Sequence, residues 1–144
     1  MRWIPPKSPH GLIQETLWPD EWRILVSCLL LNMTTRRQVD RVIDQLFHLY
    51  PGPVSMSMAK DEDLHAIIKP LGLANKRVKT LKRFSTEYLE KDWASPLELY
   101  GCGKYANDTW RIFCQGEWRE TTPDDHALTN YHNYLKLVRE QENA

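Results

Sequence analysis

Two glycines stand two residues apart in Leu99-Tyr100-Gly101-Cys102-Gly103, between a helix-opening signal and a helical run. No other stretch constrains the chain as much. Without a Cβ the backbone can turn tightly there and present bare N–H groups to an anion. Upstream, Ser95-Pro96-Leu97-Glu98 is a capping box with proline at the first helical position, predicting a short helix that leads into the glycines. Downstream, residues 105 to 116 read as helix, and Thr122-Pro123-Asp124-Asp125 opens a last helix with Leu128, Tyr131, Leu135 and Val138 facing inward. A Leu-x-Gly-x-Gly hairpin between helices can hold one nucleic-acid phosphate on its amides and on the second helix N-terminus. A helix C-cap followed by an ordinary turn would explain the same glycines.

The rest of the chain is also helical in pattern. Pro5, Pro6 and Pro9 predict an extended arm that packs through Leu12 to Leu17. Pro19-Asp20-Glu21 opens a helix, with proline in the first turn and acids at the positive end of the dipole. Its stripe is Trp22, Leu25, Val26, Leu29 and Leu30. After Asn32-Met33-Thr34 breaks that period, Thr35 and Gln38 form a capping box for a second stripe, Val39, Val42, Ile43, Leu46 and Phe47. Pro51-Gly52-Pro53 ends it, and a polar segment leads to a short helix around Leu64, Ile67 and Ile68. Pro70-Leu71-Gly72-Leu73 is a sharp turn, followed by a basic helix with Val78, Leu81, Phe84 or Ser85, and Tyr88 inward. No convincing alternating strand appears, so the expected class is all-α with turns as the functional surfaces.

Length and composition narrow the reading further. The 144 residues suit a single domain spanning 1–144, able to bury roughly two thirds of its unfolded surface. No apolar run reaches the ~18 residues of a membrane span, and the start lacks a secretory signal, so a soluble intracellular chain is expected. Cys28, Cys102 and Cys114 form no C-x-x-C and are too few for a four-cysteine iron–sulfur cluster. His126 and His132 are six apart, on different helix faces, so no metal site is expected. Net charge is zero, yet residues 69–83 carry six basic side chains and no acidic one. Such a run is either a nucleic-acid footprint or a solvated helix face.

Asp125 stands at N3 if Thr122 is the cap, where a capping-box carboxylate is one reading. The other is chemical, because an ionised carboxylate at a helix N-terminus can stabilise the oxocarbenium-like sugar formed when a glycosidic bond breaks. Asp124 reads as cap or solvent. The hairpin, the aspartate 22 residues after Gly103 and the all-α pattern together resemble the helix-hairpin-helix DNA glycosylase superfamily. More closely, Trp3-Ile4-Pro5-Pro6-x-Ser8-Pro9, Leu12-Ile13-Gln14-Glu15-Thr16-Leu17, Lys69-Pro70-Leu71-Gly72-Leu73, Gly103-Lys104-Tyr105-x-Asn107-Asp108 and Pro123-x-Asp125-His126 resemble the methyl-CpG-binding domain protein four branch of that superfamily. The likeness runs from about Trp3 to Leu135.

The resemblance implies a compact bundle of roughly eight to ten helices without an iron–sulfur cluster. It implies a monofunctional glycosylase that flips thymine or uracil out of G:T and G:U mismatches in double-stranded DNA, needing no cofactor or metal because water is the nucleophile. A nuclear, monomeric protein without membrane association is the corresponding expectation. Carried over by position, Asp125 matches the catalytic aspartate, Gln14 and Tyr105 match the pocket for the flipped base, and Leu73 matches a wedge entering the duplex. Gly101, Gly103 and Lys104 match the phosphate-holding hairpin, with Lys104 facing the DNA backbone. A phenol at 105 cannot form the Schiff base that a lysine forms in strand-cutting relatives.

Met33 departs from that pattern, since the family usually carries arginine there. Methionine can fill a gap by volume but cannot bond phosphates or base edges, so weaker and less salt-dependent lesion binding is expected. Two rivals stay open: a glycosylase of other base specificity, such as adenine or an oxidised pyrimidine, and a catalytically silent DNA-binding module.

Overall fold

In the computed structural model, which describes residues 2–142, eight α-helices and three single 3-10 turns follow one another, with no strand among the described residues. The helices are α1 (Ile13–Leu17), α2 (Glu21–Leu31), α3 (Arg36–Leu49), α4 (Pro53–Ser57), α5 (Asp61–Ile68), α6 (Ala74–Glu90), α7 (Lys104–Phe113) and α8 (His126–Glu142).

Helix α2 is the axis of the bundle. Asp20 is its N-cap, its carboxylate accepting the Arg23 N–H at 2.9 Å, so Pro19 precedes the cap instead of occupying the first turn. The expected stripe is buried, and so are Ile24, Ser27 and Cys28 on the other faces. A helix buried on nearly every side lies between two layers. Most of its apolar residues join the core built on α3, α5 and α6, whereas Ile24 joins a second core with Ile112, Phe113, Leu128 and Tyr131 of α7 and α8. Glu21 ties the layers together, accepting from the Tyr88 hydroxyl of α6 and from Trp110 Nε1 of α7, both at 2.8 Å.

Residues 12–17 differ from the expected arm by forming the short helix α1. Glu15 makes this possible by bending back to accept the Leu12 N–H at 2.7 Å and the Ser8 N–H at 2.6 Å. A buried carboxylate satisfied by two amides and the Ser8 hydroxyl fixes both the arm and the orientation of its neighbour Gln14. The Thr35–Gln38 capping box forms as read, Gln38 accepting the Thr35 N–H at 2.9 Å. The Ser95–Glu98 box also forms, but it caps a single 3-10 turn, Pro96–Glu98. Pro53–Ser57 within the polar segment is helical, because proline at the first position presets it.

The last helix begins later than its sequence signal. Asp125 is itself the N-cap residue of α8, accepting the Leu128 N–H at 3.0 Å on its side chain while its carbonyl accepts from Thr129. Thr122 instead lies on the preceding loop, its carbonyl accepting from Lys104. Residues 121–124 lie outside any helix, so the cap falls at Asp125, three residues after the expected Thr122.

Candidate functional site: a cavity between the glycine hairpin and the cap of α8

A cavity of about 1010 Å³ opens where α1, the end of α2, the glycine hairpin and the start of α8 meet. Its lining brings together Gln14, Cys28, Met33, Gly101, Gly103, Lys104, Tyr105 and Asp125. A smaller neighbouring cavity of about 340 Å³ lies between the Met33 and Leu73 turns and shares Met33 and Gly101 with the first. Every site residue named from the sequence therefore borders one of two adjoining hollows.

The hairpin is held from behind. Leu99 is buried, the Tyr100 N–H donates to Glu87 at 3.0 Å, and the Arg83 guanidinium covers the Tyr100 ring at 4.1 Å. Gly101 has φ +83° and its missing Cβ would stand 2.7 Å from Thr80 Cγ2, so both conformation and space require glycine. Gly103 differs. With φ −115° it is the N-cap of α7, with nothing within 4 Å of a would-be Cβ, so its bareness leaves room toward the open side. No side chain caps α7, and its first amides have no intrahelical partners.

Inside the cavity, Gln14 Nε2 donates to the Tyr105 hydroxyl at 2.7 Å and stands 4.0 Å from Cys28 Sγ. Burial, then the Cys28 and Asp125 charges, raise the Tyr105 pKa well above that of a free phenol, so its hydroxyl stays protonated. Burial likewise pushes the Cys28 thiol up to about 11. Asp125 stands at the cavity edge, anchored by its bond to Leu128. The Thr109 hydroxyl, fully buried in α7, has no hydrogen-bond partner among the described residues.

Lys104 is exposed and also engaged by its own chain. Its Nζ donates to Asp108 at 2.5 Å and to the Thr122 carbonyl at 2.7 Å, with Asp124 at 3.4 Å. The Asp108 bond raises its pKa. Asp108 is nearly buried, and a buried carboxylate one helical turn away captures the cation more firmly than solvent would. The consequence is a strap between α7 and the loop that carries Asp125. Asp124, mostly exposed, serves this strap and not the cap.

The two candidate wedges share an uncommon backbone state. Met33 (φ 65°) and Leu73 (φ 51°) are the positive-φ residues other than glycine among the described residues. They are also exposed, at 80% and 56%. A left-handed backbone costs a non-glycine residue roughly 1–3 kcal/mol and persists where the surroundings impose it, most often at functional sites. Two large apolar side chains are thus held largely in water on such turns.

The sequence matches the HhH-GPD superfamily base excision DNA repair protein family over residues 26–144. The chain belongs to that family. It is 45% identical to a methyl-CpG-binding domain protein 4-like protein of Arabidopsis thaliana over 135 residues, which is 94% of this chain and 30% of that protein. It is 35% identical over 94 residues to a thymine/uracil-DNA glycosylase of Pyrobaculum aerophilum, covering 60% of this chain and 41% of the relative. Among solved structures, a thermostable thymine-DNA glycosylase superposes with a TM-score of 0.63 at 25% identity, over 68% of this chain and 48% of that one. The chain thus spans well under half the length of these curated relatives. The fold is the helix-hairpin-helix one expected from the glycines.

Two features of the site escaped the sequence reading. Cys28 lies on a helix buried all round, where an inward sulfur facing a cavity looks like one facing a core. Arg77 is 7% exposed and hydrogen-bonded to three carbonyls. Its signal was present, since 77 stands one turn before Leu81 on the inward stripe of α6. Of the six basic residues in the run, Lys82 and Arg83 pair with Asp61 and Glu87 and Arg77 is buried, leaving Lys69, Lys76 and Lys79 exposed.

Proposed function

We propose that residues 1–144 form one catalytic domain that removes thymine or uracil from G:T and G:U mismatches as a monofunctional glycosylase acting as a monomer. The observation that carries this reading is the shared cavity: the Asp125 carboxylate, the Gln14–Tyr105 pair and the hairpin amides line one hollow. A phosphate held on the amides of Gly103 and α7 places the neighbouring sugar toward Asp125. The target nucleotide leaves the stack, at a cost lowest for a mismatch, while Leu73 and Met33 fill the space it vacates.

In the reaction, the bond from C1′ to the base nitrogen breaks and its electron pair leaves with the base. Asp125 stabilises the positive sugar that remains. Water then adds at C1′ and gives up a proton, and the departing base gains one. Gln14 can bond an imide edge, which thymine and uracil share and cytosine lacks. Tyr105 offers a ring face and a protonated hydroxyl, and cannot form a Schiff base. Lys104, the lysine that lines the cavity, is committed to Asp108 and the Thr122 carbonyl. Relatives named for thymine and uracil support the same substrate class.

Duplexes carrying G:T, G:U or G:A, treated with alkali to reveal abasic sites, test this directly. Release from G:T and G:U but not G:A is expected. Strand breakage without alkali, or a covalent adduct trapped by borohydride, would overturn the monofunctional assignment.

A further inference from the structure

Arg77 is the buried cation whose place in the fold neither the catalytic reading nor the core explains. Its guanidinium donates through Nε to the Gly72 carbonyl at 2.9 Å, through one terminal nitrogen to Leu30 at 3.3 Å, and through the other to Asn32 at 3.0 Å. No carboxylate lies in ion-pair range of it among the described residues. Three carbonyls, two of them at the negative end of α2, take that part instead. Gly72 precedes Leu73, and Leu30 and Asn32 precede Met33. Arg77 therefore holds, with one rigid fork, the two turns on which the left-handed, exposed apolar residues stand, and it lines the smaller cavity between them.

We infer that Arg77 is a positioning residue that sets the spacing of the Met33 and Leu73 wedges, so that both enter one gap in the duplex. The two turns belong to helices far apart in sequence, and nothing covalent keeps them in step. Planar guanidinium geometry fixes three acceptors at once, which a flexible ammonium cannot do. Without the fork each turn can relax from its left-handed state independently. The wedges would still be present, but not at a common distance.

This inference rests on the glycosylase reading, so its test uses a ligand that asks nothing of the base pocket: a duplex with a tetrahydrofuran abasic analogue opposite guanine. Binding of that duplex and of a fully paired duplex is measured for the wild type, Arg77→Lys, Arg77→Met, Leu73→Ala and the Arg77→Met/Leu73→Ala pair, each with its melting temperature. For Arg77→Met, abasic-duplex affinity falls about ten- to a hundredfold with paired-duplex affinity little changed, because misplacement by about 1 Å is costly only where fit is required. Arg77→Lys recovers part of the loss. The double variant binds no more weakly than the worse single variant, since both changes disable the same wedge. Additive losses, or equal losses on both duplexes, would show a general structural role and overturn the inference. Where Arg77→Met does not fold, Arg77→Lys decides, and unchanged abasic-duplex affinity in that variant would equally overturn it. A wild type that binds the abasic duplex selectively yet releases no base from G:T or G:U would refute the substrate assignment while leaving this one standing.

Discussion

Gln14 and Tyr105, 91 residues apart in the chain, meet in a 2.7 Å hydrogen bond inside the cavity. One amide hydrogen of Gln14 is committed to the phenol, which leaves its remaining polar groups for whatever enters. The pair is possible because Glu15 seals α1 from below and the glycine hairpin delivers Tyr105 in the first turn of α7.

Removing the phenol oxygen separates orientation from binding. Tyr105→Phe leaves buried Gln14 without that partner, a loss of about 1–3 kcal/mol for such a group. Base release from G:U under single turnover is expected to slow about tenfold or more, with affinity for an abasic duplex unchanged. Equal rates for the two proteins would remove Tyr105 from the base pocket.

Asp125 caps α8 and, in the proposed reaction, stabilises the sugar cation, and one substitution can divide the two. Asparagine caps a helix about as well as aspartate, so Asp125→Asn keeps the bond to the Leu128 N–H and the melting temperature. It loses the charge, and base release falls by about a hundredfold to a thousandfold or more. Asp125→Ala loses both and is further destabilised by about 1 kcal/mol. Wild-type turnover by Asp125→Asn would place the catalyst elsewhere.

Gly101 and Gly103 are expected to respond differently to alanine. At Gly101 a Cβ meets Thr80 and Leu29 on a backbone with φ +83°, costing about 1–3 kcal/mol in stability. At Gly103 nothing lies within 4 Å, so melting is unchanged, but the methyl intrudes where a phosphate would approach and weakens DNA binding. Parallel melting and binding curves for the two variants check the division.

Met33→Arg adds a cation to an exposed turn already aimed outward. Affinity for a G:T duplex is expected to rise, and the slope of log K against log salt to steepen by about one. An unchanged slope would mean that this turn does not reach the DNA.

Alkaline stability follows from the buried thiols. Burial raises Cys28 from its ordinary 9.0 to about 11 and Cys102 and Cys114 to about 12. As pH rises, the unfolded chain loses these protons first, so their contribution is full below about pH 9 and is lost progressively toward about pH 12. Melting temperatures are expected to decline across that window, and level values through it would contradict the burial of the thiols.

The helical class and most core stripes were legible in the sequence because they are local: a 3.6-residue period, a capping box or a proline acts within one turn. The Thr35–Gln38 box and the Trp22–Leu30 stripe formed where their residues stand. What was misread depended on partners far along the chain. Thr122 looked like a cap until Lys104, captured by buried Asp108, took its carbonyl and left the cap to Asp125.

Sequence by itself determined that this chain is an all-helical protein with a two-glycine turn and an aspartate near a helix start. Resemblance pointed to which residues to watch. Only the tertiary structure decided that Gln14, Tyr105 and Asp125 share a cavity, that Met33 and Leu73 stand out on left-handed turns, and that one buried arginine joins those turns. Periodicity reports which face of a helix is inward, but not whether the inward side meets a core, a cavity or another turn's carbonyls. That depends on how the helices pack.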